Sequence, residues 1–175
     1  ITVKAKWKAN EYLVSLNTNG GHLDGRQEYS FTYNQNYSLP TPRKAGYQFL
    51  YWCHNGQKVE SFGYYWEFAE DIQLDAFYKA IQSKVTLHFN GGVIDGSGLS
   101  TLTMTYDMKY TLPNMKKTGY DFKYWQDEYG RSYALNGYWE NTDVTSLSAY
   151  YTPKKYQLIL MSDGSQYSTR TVTYD

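Results

Sequence analysis

Ala45-Gly46-Tyr47-Gln48-Phe49-Leu50-Tyr51-Trp52 returns 73 residues later as Thr118-Gly119-Tyr120-Asp121-Phe122-Lys123-Tyr124-Trp125. At the same offset Tyr65-Trp66-Glu67 recurs as Tyr138-Trp139-Glu140, and Leu39-Pro40 as Leu112-Pro113. Between Tyr33 and Tyr78, 16 of 46 aligned positions are identical, and they fall on aromatic, glycine and proline residues that set backbone shape and core packing. Chance does not hold one offset across such a span. The chain is a short array of one folded module.

Outward from that stretch, the anatomy of a repeat emerges. Tyr12, Val14 and Leu16 alternate along a first strand, matched by Val85, Leu87 and Phe89. Asn19-Gly20-Gly21 and Asn90-Gly91-Gly92 follow as a reversal in which glycine supplies positive φ. Tyr29, Phe31 and Tyr33, matched by Leu102, Met104 and Tyr106, then give a second strand and complete a hairpin with a variable tip. The prolines of Leu39-Pro40-Thr41-Pro42 reject a long helix and predict a crossing loop, with room for one helical turn. Gly46 and Gly119 open a third strand ending at Trp52 and Trp125. Leu74, Ala76 and Tyr78 share one face of the closing strand. The expected class is mainly β: tandem modules, each a four-stranded sheet with little or no helix. Residues 1–9 read as the closing strand of a preceding repeat, 10–81 and 82–154 as two complete repeats, and 155–175 as the opening hairpin of a following one.

Composition agrees. The 175 residues hold 21 Tyr, 7 Phe and 5 Trp, favouring sheet over helix. Seventeen basic and seventeen acidic residues cancel without a basic stripe, so neither nucleic acid nor an anionic membrane is an expected partner. No apolar run approaches the ~20 residues of a membrane span, so no direct insertion is expected, and any export signal or anchor is expected outside this stretch. The single cysteine, Cys53, has no partner within the chain and leaves the compartment open.

Strand, Asn-Gly-Gly, strand, Leu-Pro, basic pair, Gly-Tyr-x-Phe-x-x-Trp, a second tryptophan and a closing Leu-x-Ala together resemble the Listeria–Bacteroides repeat, the B-repeat of internalin-type surface proteins. Lys4-Ala5-Lys6-Trp7 has the usual closing form, whereas Phe77-Tyr78 and Tyr150-Tyr151 depart from it. The resemblance implies a small β-grasp-like module strung in tandem on cell-wall-attached bacterial proteins. It also implies adhesion or spacing, no enzymatic activity and an extracellular, cell-surface location.

Chemistry has few footholds. His22, His54 and His88 have no histidine counterpart in the other copy, and Cys53-His54 are neighbours on an extended chain, whose side chains point to opposite faces. Gly91-Gly92-Val93-Ile94-Asp95-Gly96-Ser97-Gly98 lacks the Gly-Lys-Ser/Thr ending of a phosphate loop and reads as a hairpin tip. Glu67 and Glu140 are the one identical acidic pair preserved between the copies, and one such carboxylate per module does not make a glycosidase. A cap, or a partner for an amide or lysine, is the expected role. No zinc or EF-hand spacing occurs, so neither metal nor cofactor is expected.

The aromatics carry two readings. Trp52, Trp66, Trp125 and Trp139, which recur with Gly46 and Gly119, are expected core anchors, because a module of ~70 residues needs large side chains to bury enough area. Tyrosines that do not recur, Tyr64, Tyr129, Tyr133 and Tyr167, are expected at the surface, where stiff aromatic area suits contact with a host protein or glycan. The array is thus expected either to space a distal adhesive domain from the wall or to bind directly through a Tyr-rich face. Neighbouring repeats are the further expected partners, and the incomplete ends invite strand pairing between molecules.

Overall fold

The computed structural model describes residues 2–94 and 99–174. It divides into two compact units, Ile1–Ile81 and Gln82–Asp175. Every helix or strand among the described residues is a strand.

The first unit contains β1 (Glu11–Asn17), β2 (Glu28–Thr32), β3 (Asn36–Ser38), β4 (Tyr47–His54), β5 (Gln57–Val59), β6 (Phe62–Tyr65) and β7 (Ile72–Ala80). Five of them form one sheet in the order β2-β1-β7-β4-β5, and β3 pairs separately with β6. The opening strand β1 and the closing strand β7 run parallel at the sheet's centre, and the other pairs are antiparallel. A parallel pair requires a long crossover, usually a helix. Here β2 to β6 make that crossover from strands and loops. The four strands expected from alternation are β1, β2, β4 and β7. The short β5 adds a fifth at the edge.

The second unit repeats the plan with β8 (Gln82–His88), β9 (Val93–Ile94), β10 (Thr101–Thr105), β11 (Lys109–Thr111), β12 (Met115–Lys116), β13 (Tyr120–Asp127), β14 (Ser132–Tyr133), β15 (Asn136–Tyr138) and β16 (Ser146–Pro153). Its main sheet has the order β10-β8-β16-β13-β14, with β11–β15 and β12–β9 as small pairs. Part of the stretch read as a hairpin tip, residues 95–98, lies outside the described residues. β17 (Lys155–Ser162) and β18 (Ser165–Thr173) then form an antiparallel hairpin.

Of residues 1–9, expected as a closing strand, the described residues 2–9 form no strand and are exposed, with Val3 and Trp7 about nine-tenths accessible. A closing strand is held between two neighbours, as β7 is between β1 and β4, and among the described residues 2–9 pair with neither kind of neighbour.

The Gly-Tyr-x-Phe-x-x-Trp spacing has a structural cause. Residues three apart on a regular strand face opposite sides. The pairing of β4 with β7 shifts register between Phe49 and Tyr51, and that of β13 with β16 shifts between Phe122 and Tyr124. This bulge at Leu50 and at Lys123 turns Phe49 and Trp52, and Phe122 and Trp125, to the same side. The ring pairs sit 5.6 and 6.0 Å apart. On the other face Tyr51 stacks on Phe77 and Tyr124 on Tyr150 at about 5 Å, so the aromatic closing residues that depart from the family pattern have matching partners.

All four recurring tryptophans are buried, none more than 1% exposed. Trp52 Nε1 donates to the Pro40 carbonyl and Trp125 Nε1 to that of Pro113, which links the Leu-Pro motif to the tryptophan motif in both copies. Trp66 and Trp139 anchor the β3–β6 and β11–β15 ends of the two cores, and their buried Nε1 atoms have no hydrogen-bond partner among the described residues. Truncating any of these rings to alanine costs about 3–5 kcal/mol.

Candidate functional site

One side-chain cluster is built identically in both units. Asn19 and Asn90 take left-handed φ of 47° and 49°, conformations that asparagine tolerates better than most residues. Their amides donate to the carbonyls of Ala76 and Ala149 on the closing strands. Lys44 donates to Asn19 O at 2.9 Å and lies over the rings of Tyr47 and Tyr78. Lys117 does the same with Asn90 O, Tyr120 and Tyr151. The hydroxyls of Tyr78 and Tyr151 donate to the carbonyls of Thr18 and Phe89. This corner ties the first hairpin to the closing strand, and its ammonium is consumed internally. Sequence reading takes Asn-Gly-Gly for a turn alone. The identity of Lys44 and Lys117 at the shared offset was the available signal for the rest.

The expected surface tyrosines divide. Tyr64 and Tyr129 are exposed, at 56% and 62%, as is Tyr167. Tyr133 is buried: its ring stacks on Trp139 at 5.4 Å and its hydroxyl donates to Asp127 Oδ2. The reading of Tyr133 as a contact residue is therefore corrected. Its register partner is Trp125, as that of Val59 is Trp52, so Tyr133 is the counterpart of core residue Val59. Six residues lie between Trp52 and Val59 but seven between Trp125 and Tyr133, and the next interval, to Trp66 or Trp139, is correspondingly longer in the first copy. The constant offset of 73 hides these two compensating changes.

The extra residue of the second copy sits in the turn after β13, where it supports a polar network. The Asp127 side chain is fully buried and accepts from Arg131 Nε at 2.6 Å, from the Tyr129 and Arg131 backbone amides and from the Tyr133 hydroxyl. Burial pushes its carboxyl up, but these donors outweigh burial and hold it below the usual range. Glu128 accepts from the backbone and hydroxyls of Thr145 and Ser146. Desolvation is again outweighed, and its carboxyl falls to about 2.

The extra residue of the first copy sits beside Tyr64. Asn36 pairs with Tyr65 and Ser38 with Phe62, so Gly63 and Tyr64 together oppose Tyr37 in a β-bulge, with Gly63 at φ +79°. The bulge borders a pocket of about 260 Å³ lined by Tyr37, Tyr64, Tyr65 and Phe68 together with Lys58, Glu60 and Glu67. Phe68 and Tyr37 both pack on Trp66, at 5.0 Å. Lys58 pairs with Glu60 at 2.8 Å. Glu67 and Glu140, expected as caps or partners, make no hydrogen bond or ion pair among the described residues. Burial raises the Tyr37 hydroxyl, and the charges of Glu60 and Glu67 raise it further. In the second unit Tyr110 pairs with Gly137 without a bulge, and a side chain at Gly137 would meet the Tyr110 ring.

Cys53 is half-buried, and His54 Nδ1 lies 3.0 Å from the Gln73 carbonyl. No group of three or more His, Cys, Asp or Glu among the described residues is placed to hold a metal ion, and no helix there is long and apolar enough to cross a membrane.

These features define a class: a tandem array of small, strand-only modules with a mixed central sheet. A sequence model of the Listeria-Bacteroides repeat domain matches residues 12–76 and 84–150, and the chain belongs to that family. A protein of Evansella cellulosilytica described as "Putative membrane protein" is 32% identical over 135 residues, covering 73% of this chain and 19% of that protein. Another from the same organism, described as "Putative Gly-rich membrane protein", is 30% identical over 136 residues, covering 74% of this chain and 15% of its own length. The chain thus spans less than a fifth of either relative. No solved structure matches it.

Proposed function

We propose that the chain is a non-catalytic stretch of a bacterial cell-surface protein, whose repeats act as a spacer holding a distal adhesive domain away from the cell wall. Family membership and relatives described as membrane proteins support the location. The observation that carries the spacer reading is the junction after the second repeat. Lys154 alone separates β16 from β17. Its N–H donates to the Gly119 carbonyl, and its own carbonyl accepts from Tyr174 N–H. Tyr174 meets the Tyr120 ring edge-on at 5.5 Å and covers Gly119 so closely that any side chain there would overlap it. A hairpin fixed by one linker residue and a tyrosine seated on the preceding Gly-Tyr corner resists bending, which a spacer requires.

Tyr174→Ala tests this by amide hydrogen exchange. Loss of the ring is expected to speed exchange at Lys154 and Tyr174 about tenfold while Leu147 in the core stays protected. Unchanged protection at both amides would remove the support. The second reading, direct binding by the repeats, has one observation in its favour, the Tyr64 pocket of the first unit.

A further inference from the structure

We propose that the pocket bordered by the Gly63–Tyr64 bulge binds an organic ammonium group, quaternary or protonated, which goes beyond the spacer reading and does not depend on it. Four aromatic residues, Tyr37, Tyr64, Tyr65 and Phe68, line a space of about 260 Å³. Aromatic faces carry a negative quadrupole and attract cations. The charge balance points the same way. Lys58 neutralises Glu60, caps no ring among the described residues, and leaves Glu67 as a carboxylate without a counter-ion. An anion would be repelled by Glu67, and an uncharged apolar group would strip water from it without return. A cation satisfies both the rings and the acid.

The volume suits a single headgroup, being smaller than the range typical of drug-sized ligands. The pocket is also specific to one copy. The core and the Lys-Tyr corner recur in both units, whereas Tyr64, Phe68 and Glu60 have no like residue at the matching offset, where Gly137, Asn141 and Tyr133 stand. The bulge turns Tyr64 outward to 56% exposure, and the rim residue Tyr65 is 58% exposed. Both are accessible to a ligand.

The same chemistry has two sources, a choline-type group on a cell-surface polymer or the lysine side chain of a protein. Amide-resolved NMR of the whole chain distinguishes them, with choline, N-acetyl-lysine methylamide and dimethylbutanol, the uncharged isostere of choline, as probes. Saturable shifts confined to residues around the pocket are expected with at least one cation and not with the isostere. Tighter binding of choline points to a polymer-borne quaternary group, and tighter binding of the lysine analogue to a protein. Tyr64→Ser and Glu67→Gln should each weaken binding about 3- to 30-fold, and Tyr129→Ser in the other unit should leave it unchanged. The proposal is overturned if neither cation saturates the pocket by about 100 mM. Equal binding of the isostere, or indifference to Glu67→Gln, would also overturn it. The comparison of cation with isostere uses the unmodified chain and does not depend on any variant folding.

Discussion

Gly92→Ala is the sharpest perturbation of the second unit. Gly92 has no left-handed φ, so the substitution adds no backbone strain and acts through space alone. A Cβ there overlaps the Tyr151 hydroxyl, lies 2.8 Å from Tyr151 Cζ and 3.2 Å from the Lys116 carbonyl. Tyr151 must swing away, giving up its bond to the Phe89 carbonyl at 2.9 Å and part of its packing on Phe122. A lost, part-buried hydrogen bond together with displaced ring area amounts to about 3 kcal/mol. That is much of the stability of a module of this size. In urea, with a slope of about 1 kcal/mol/M, the second unit's midpoint should fall by roughly 2–3 M while that of the first holds. Tyr151→Phe removes the worst overlap. The double variant should therefore cost about 2 kcal/mol, less than the two single costs combined. A Gly92→Ala cost below about 1 kcal/mol, or strict additivity with Tyr151→Phe, would refute the steric reasoning.

Three further outcomes follow from the same contacts. Trp125→Phe should cost about 1–2 kcal/mol more than Trp139→Phe by urea unfolding, because removing Trp125 Nε1 orphans the Pro113 carbonyl, whereas Trp139 Nε1 has no hydrogen-bond partner among the described residues to lose. Because the folded-state pKa of Glu128, about 2, lies below its unfolded value, its stabilisation is full above pH ~4.5 and is lost as pH falls toward 2; Glu128→Gln should flatten that acid limb of the second unit's stability curve. Tyr133→Ser should destabilise the second unit by about 3 kcal/mol, and Tyr129→Ser, which loses only the Arg131 guanidinium over its exposed ring, by about 1 kcal/mol at most, when both are measured by thermal unfolding.

The sequence revealed what both copies share and concealed where they differ. Alternation at Val14 and Leu16 placed β1, and the fixed offset exposed Trp52, Trp66, Trp125 and Trp139 as common anchors. Periodicity gave no warning of the bulges at Leu50 and Lys123, since an interrupted strand has no single period. Tyr133 was misread because an insertion in the turn at 128–130 and a shorter run before Trp139 cancel in the offset. Only strand register aligns Tyr133 with Val59. Tyr64 could be singled out as non-recurring, but its pocket depends on a β-bulge and on side chains from β3, β5 and β6. Tyr37 of β3 recurs as Tyr110, but β5 and β6 lie between Trp52 and Trp66, where the copies match poorly.

The central claim, that these repeats serve as a spacer, is tested most directly by small-angle scattering from arrays of two, four and six repeats. Fixed junctions of the kind formed by Lys154 and Tyr174 predict a maximum dimension growing linearly, by roughly 30 Å per repeat given a module radius of gyration near 11 Å. Growth with the square root of repeat number would describe freely jointed modules and contradict the account.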